Sequence, residues 1–172
     1  AVRIVAGRWR GRTIAAPRGM AVRPTADRVR EAWMSILQND LPDASVVDLF
    51  SGSGALGLEA LSRGAARATF VDSAAPSLLS LRANIAQLGA DDVAIVHRMD
   101  ALRFIAALEE HAYDVAFADP PYHKGLAREV ADRWRERAFS RILAVEHEAA
   151  EAMPGDGDTR RYGDTALTFY RA

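Results

Sequence analysis

The sequence predicts an α/β fold, a mostly parallel seven-stranded sheet whose C-terminal end turns antiparallel, preceded by a small β-hairpin and a helix. Three observations carry this expectation. From residue 46 onward, short apolar runs alternate with helical stretches, the pattern of parallel strands covered by helices on both faces. The first run leads through a glycine-rich loop straight into a helix. The last fifteen residues, "DTRRYGDTALTFYRA", instead read as two strands joined by a tight turn at Gly163–Asp164.

Taken in order, Val2–Ala6 and Arg12–Ala15 are β-like runs flanking "GRWRG", which predicts a hairpin with a basic, aromatic tip. In "RPTADRVREAWMSIL", Thr25 is the expected N-cap, with Pro24 just outside and Asp27 in the first turn. Val29, Trp33, Ile36 and Leu37 then share one helical face, which makes Trp33 a core residue. The expected strands are Val46–Phe50, Ala68–Val71, Val93–Val96, Val115–Ala118 and Ile142–Val145. Helices are expected over 55–63, 75–88, 101–110 and 125–137. A chain of 172 residues without repeats or low-complexity linkers reads as one domain, at most with a small appendage.

Composition excludes several classes. Without cysteine there are no disulfides and no thiolate metal sites. His97, His111, His123 and His147 show no ligand spacing, so no metal is expected. No apolar run approaches the roughly 20 residues of a membrane span, and "AVRIVAGRWRGR" lacks the apolar segment of a signal peptide. A cytoplasmic protein is the expectation, with a monomer as its working state. The net charge of −1 conceals an asymmetry: residues 1–35 hold eight arginines against Asp27 and Glu31, giving +6, and the remainder carries −7. A basic arm on an acidic body suggests a polyanionic partner, although a solvated basic surface accounts for the same charges.

Ligands of open α/β sheets sit at the carboxyl ends of the strands. Asp48, Asp72, Asp100 and Asp119 stand there, with Glu146 after the fifth run. Any one of them could be a turn former; the set points to a site. "VVDLFSGSGALGLEAL" contains G-x-G-x-x-G at Gly52, Gly54 and Gly57, with Asp72 twenty residues beyond Gly52 and placed for ribose hydroxyls. By its letter this is a dinucleotide fingerprint, and an NAD-dependent oxidoreductase stays open. Asp48 would oppose a pyrophosphate but suits a ligand with a cationic end, such as the amino group of S-adenosylmethionine. The residues after Pro120 are also few for a separate substrate domain. At the other end of the site, "YDVAFADPPYHKG" ends a strand in an acid, two prolines and an aromatic. The prolines fix φ and remove two donors, so this exit is rigid.

"DLFSGSGALGLEA", "FVD" and "ADPPY" resemble the motifs of class I methyltransferases that act on exocyclic amines of nucleic-acid bases. With "RIVAGRWRGR" and "RPTADRVREAWMSIL" ahead of them, the whole set resembles the RsmD family of small-subunit ribosomal RNA guanine-N2 methyltransferases. The resemblance covers nearly all of the chain; the tail after Glu148 matches no motif, and His123 and Lys124 occupy variable positions. It implies a Rossmann-like fold, with residues 1–22 as a basic hairpin extension touching RNA and 23–172 as the methyltransferase domain. Residues 23–40 would form a helix over the cofactor site. The implied reaction moves a methyl group from S-adenosyl-L-methionine to the N2 amine of a specific guanine of 16S rRNA (guanine 966 in the family's usual numbering). The substrate would be the assembling or assembled small subunit.

By the same resemblance, Asp48 and the Gly52–Gly54 backbone would meet the methionine part of the cofactor, Asp72 its ribose, and Phe50 would belong to the cofactor set as well. Asp100 and Ala101 would meet the adenine, with Asp100 equally placed to be a helix cap; Thr25 and Asp119 complete the cofactor set. The catalytic set is Asp119, Pro120, Pro121 and Tyr122. Asp119 and the Pro120 carbonyl would accept the two amine hydrogens, and Tyr122 would stack on the base. Arg8, Trp9, Arg10, Arg12, Arg23 and Arg28 would meet RNA, with packing on the body as the plainer role of Trp9. A DNA amine methylase and a non-enzymatic RNA-binding module are the other readings of the same residues.

Overall fold

A computed structural model describes residues 2–16 and 24–172, with side chains of the first helix from residue 27 onward. Arg23 and the side chain of Thr25 lie outside the described residues, as do the roles expected of them.

The hairpin pairs β1 (Val2–Arg3) antiparallel with β2 (Thr13–Ile14), in strands shorter than the sequence suggests. Ile4 N still reaches across to Arg12 O at 2.9 Å, and the pairing ends after it because the Val5 and Ala6 amides donate to the Glu59 carboxylate at 2.9 and 3.2 Å. The first helix, α1 (Pro24–Ile36), begins with Pro24 inside rather than outside it. Proline suits a first turn, where its missing N–H has no partner to lose. Val29, Trp33, Met34 and Leu37 bury the inner face of α1, and Trp33 meets Phe117 edge-on at 5.8 Å.

The body follows as β3 (Ser45–Leu49), α2 (Ala55–Ser62), β4 (Arg67–Asp72), α3 (Ala75–Leu88), β5 (Ala94–Arg98) and α4 (Ala101–Ala106). Then come β6 (Tyr113–Ala118), α5 (Leu126–Glu136), β7 (Ser140–Glu148), β8 (Asp158–Tyr162) and β9 (Thr165–Arg171). The sheet has seven strands in the order β5-β4-β3-β6-β7-β9-β8; β9 runs antiparallel to both β7 and β8, and the pairs from β5 to β7 are parallel. Strand β7 outruns its expected length because it pairs with β9 from Ile142↔Arg171 to Glu148↔Thr165. Helix α4 falls short of residue 110, closing at Ala107.

Alternate residues of the central strands face opposite layers. Val46, Val115 and Phe117 join a core with α1, α2, α3 and the hairpin; Val47, Leu49, Ala116 and Ala118 join one with α4 and α5. Strand order reverses between β3 and β6, so the switch-point crevice opens above Leu49 and Ala118. Among the described residues no helix is long and apolar enough to cross a membrane.

Candidate active site

The site grows from the loop that follows β3. Phe50, Gly52 and Gly54 all carry positive φ (58°, 55° and 87°), which folds the loop tightly before α2 starts. A left-handed Phe50 is strained, since its Cβ crowds the backbone. The three glycines divide the work unevenly. A Cβ on Gly57 would collide with the Phe70 ring and one on Gly54 with Leu81, so these two permit close packing of helix against sheet. Among the described residues a Cβ on Gly52 meets nothing within 4 Å, so its backbone is open to them.

Two carboxylates hold the loop. Asp72, the last residue of β4, accepts from Gly52 N at 2.9 Å through Oδ2 and from Ala74 N at 2.8 Å through Oδ1. Asp48 lies inside β3 rather than at its end and points toward α2, where Oδ2 accepts from Gly57 N at 3.0 Å. The Asp48 side chain is buried, and Oδ1 has no hydrogen-bond partner among the described residues. Burial is the main cause that pushes its pKa well above the ordinary 3.8; the Gly57 N–H opposes this, and the charges of Asp119 and Asp72 reinforce it. The Ser51 hydroxyl, in the same loop, is buried without a partner among the described residues as well. Two orphaned polar atoms and an open glycine backbone fit a polar ligand with a cationic group, as an aminocarboxylate end would provide.

Asp100 caps α4, accepting from Arg103 N at 3.0 Å, and brings the Ala101 backbone to the carboxyl end of β5. Opposite the glycine loop, β3 and β6 pair as Leu49↔Ala118, so Phe50 and Asp119 leave adjacent strands at the same level. Asp119 is exposed, Pro120 is buried beneath it, and Tyr122 is half-buried. The Tyr122 hydroxyl lies 2.8 Å from Thr165 Oγ1 and 3.4 Å from Glu146 Oε2. Burial is the first cause that lifts this phenol to about 12. His123 (φ 68°) stays largely in solvent and touches Glu148 at 3.0 Å. Asp48, Asp72 and Asp119 thus come together around one crevice, whereas Glu146 sits within β7 and faces Tyr122 instead.

The described arginines of the hairpin are not gathered there. Arg8 N and Trp9 N donate to the carbonyl and hydroxyl of Ser62, which ends α2. The hairpin tip therefore lies one helix length from the glycine loop, about 12 Å for an eight-residue helix. Gly7 (φ 89°) makes the contact possible, because a Cβ there would strike the Ser62 carbonyl. Arg8, Arg10, Arg12 and Arg28 are exposed, although Arg12 also donates to Gln87 O at 2.8 Å. Trp9 departs from the stacking role: it is only 8% exposed, packs into the core, and has the Arg8 guanidinium 4.2 Å above its ring. A buried ring covered by a cation leaves little face for a base.

Residues that sequence reading passed over bind these parts together. Glu59, buried in α2, accepts from two hairpin amides and pairs with Arg63 at 3.0 Å and Arg30 at 3.9 Å. Asn84 of α3 exchanges two hydrogen bonds with Ala15, both at 2.9 Å, and donates to Ser53 O at 3.0 Å. One acid in the apolar "ALGLEALS" was a usable signal for Glu59; Asn84, Ser51 and Thr165 had none.

A family model described as "Conserved hypothetical protein 95" matches residues 2–171. The Escherichia coli K12 "Ribosomal RNA small subunit methyltransferase D" is 36% identical over 156 residues, covering 89% of this chain and 78% of that protein. Among solved structures, a hypothetical protein of Thermus thermophilus superposes with TM-score 0.85 at 29% identity over 100% of both chains. A T. thermophilus 16S rRNA N2 G1207 methyltransferase, solved with AdoMet and guanosine, shares the fold at TM-score 0.70 and 21% identity, covering 91% of this chain and 45% of that one. A family match spanning both ends of the chain, joined to a relative this similar, places the protein in the RsmD family of small-subunit ribosomal RNA methyltransferases.

Proposed function

We propose that the chain is an S-adenosylmethionine-dependent methyltransferase acting on the exocyclic N2 amine of one guanine of 16S rRNA, guanine 966 in the family's usual numbering. The observation that carries this is the in-register β3–β6 pair, which sets Asp119 and the proline-locked exit beside the glycine loop and its buried, half-satisfied Asp48. The family's methyltransferase members speak against the nicotinamide reading of the same loop.

When bound, S-adenosylmethionine supplies an electrophilic methyl group. Asp48 Oδ1 and the Ser51 hydroxyl would take the polar end of its methionine part, Asp72 the ribose, and Asp100 with the Ala101 amide the adenine. Asp72 keeps lone pairs for this role while it holds Gly52 and Ala74. Guanine N2 is a weak nucleophile because its lone pair is delocalised into the ring. Asp119 accepts one of its hydrogens in a charge-assisted bond and the Pro120 carbonyl the other. As the nitrogen becomes cationic, both acceptors bind it better, which lowers the barrier by differential stabilisation. Pro121 stiffens the loop, and Tyr122 gives the base a face to stack on.

The substrate is 16S rRNA, free or within the small subunit, and Arg28 and the exposed arginines of the hairpin, the latter remote from the chemistry, supply phosphate contacts. Replacing Arg8 and Arg10 by alanine should flatten the salt dependence of RNA binding by about 0.7 to 0.9 in slope for each phosphate no longer neutralised; an unchanged slope removes the hairpin from the RNA interface. The decisive assay is labelled methyl transfer to bulk RNA from a strain lacking this protein, with digestion to nucleosides. N2-methylguanosine is the expected product, and any other methylated nucleoside refutes the assignment.

A further inference from the structure

Tyr122 sits in a seven-residue loop, 119–125, with no regular structure of its own. Its ring is held from elsewhere. One phenolic proton serves one acceptor; with the Glu146 carboxylate able only to accept, the consistent arrangement has Tyr122 donating to Glu146 and Thr165 donating to Tyr122. The 2.8 Å contact to Thr165, 43 residues away in sequence, is the stronger of the two. Thr165 opens β9 opposite Glu148, and Glu146 pairs with Leu167, so both come from one antiparallel ladder. That ladder is internally braced. Buried His147 bonds through Nδ1 to Glu148 O at 2.8 Å and through Nε2 to Thr168 Oγ1 at 2.7 Å, which meets Thr159 Oγ1 at 2.8 Å.

We infer that Thr165 is a positioning residue for the Tyr122 ring, its hydroxyl fixing, with Glu146, the angle at which the aromatic face meets an incoming base. This rests on the methyltransferase reading above. A tyrosine at a loop tip has several staggered χ1 wells available. Anchoring the hydroxyl selects one, so the base is received in the orientation that directs its amine at Asp119. Such an anchor acts on the productive geometry of the bound complex, and it leaves the cofactor crevice across β3 untouched.

Thr165→Val keeps the side-chain shape and removes the hydroxyl, and Thr165→Ser returns it. With labelled S-adenosylmethionine and small-subunit ribosomal RNA from a strain lacking this protein, Thr165→Val should lower kcat about tenfold. S-adenosylhomocysteine affinity should stay unchanged, and Thr165→Ser should recover kcat to within about twofold of the wild type. Tyr122→Phe, which breaks the Thr165 and Glu146 contacts together, should lose at least as much, and the double variant no more than Tyr122→Phe alone, because the Thr165 contact is already gone there. With 3-fluorotyrosine incorporated, the Tyr122 resonance, identified by its disappearance in Tyr122→Phe, should move in Thr165→Val while the other tyrosine signals stay in place. Wild-type kcat in Thr165→Val, losses that multiply in the double variant, or an unmoved fluorine signal would each overturn the inference. A fluorine signal that moves in a chain transferring no methyl to this RNA supports the anchor and overturns the substrate reading instead.

Discussion

The two halves of the crevice are built in opposite ways. On the proposed cofactor side, the restraints are local and close on backbone: Asp48 holds Gly57, nine residues on, and Asp72 holds Gly52, twenty residues back. On the proposed catalytic side, proline rings fix the backbone of the loop, but its aromatic is held by Thr165 from the far end of the chain. A loop that grips a ligand with its own amides can be encoded in one continuous stretch. A loop that must aim a side chain needs a partner at a fixed distance, and only another strand provides one.

The largest test of this division is Asp119→Ala. Methyl transfer should fall on the order of 10³-fold, as for loss of a group that stabilises developing charge, while S-adenosylhomocysteine affinity measured by calorimetry stays within about threefold. Equal loss of both would move Asp119 to the cofactor side and break the comparison.

Asp48→Asn probes the other half. Loss of the charge opposite the cofactor amine should weaken cofactor binding about 10- to 100-fold, the range of a hydrogen bond to a charged group. The same change should leave the ligand-free chain as stable as the wild type at pH 7, or more so. The raised Asp48 pKa means that the folded state retains a proton the unfolded chain has released. That contribution is fully present below pH 3.8 and is lost as pH rises through the folded value. Denaturation from pH 3 to pH 8 should show the variant gaining on the wild type as pH increases. Parallel curves would deny that the carboxylate is strained in the free protein.

A smaller effect is expected at the seam between hairpin and glycine loop. Asn84→Ala removes three hydrogen bonds and leaves Ser53 O without its donor, which should cost about 2–3 kcal/mol by denaturant titration. If cofactor affinity falls in step, the glycine loop depends on the hairpin as well as on its own acids. The least effect belongs to His123→Ala. Its contact with Glu148 is solvent-exposed, and such pairs contribute about 0–1 kcal/mol; kcat should change by less than about twofold, and its pH profile should keep its shape. A larger loss would add a second anchor to the catalytic loop.

Most of the sheet was legible because each strand from β3 to β7 is a short apolar run bounded by turn residues. The glycine loop was legible for the same local reason. Two boundaries went astray where a remote partner decided them: Glu59 ended the hairpin ladder early, and β9 extended β7. Trp9 was the clearest case among the candidate site residues. Arginines on both sides gave it the look of a nucleic-acid contact, and the hydrophobic burial of an indole against α2 and the core outweighed that local signal.

By itself the sequence determined the order of strands and helices, the acids near the strand ends and the rigidity of the Asp-Pro-Pro-Tyr exit, because periodicity, glycine and proline act within a few residues. Only the tertiary structure decided which atoms those acids hold, which of them stays half-satisfied among the described residues, and that Tyr122 meets a threonine on the last strand. Hydrogen bonds form between whatever the fold brings within about 3 Å, and that proximity is a property of the packed sheet rather than of any one segment of it.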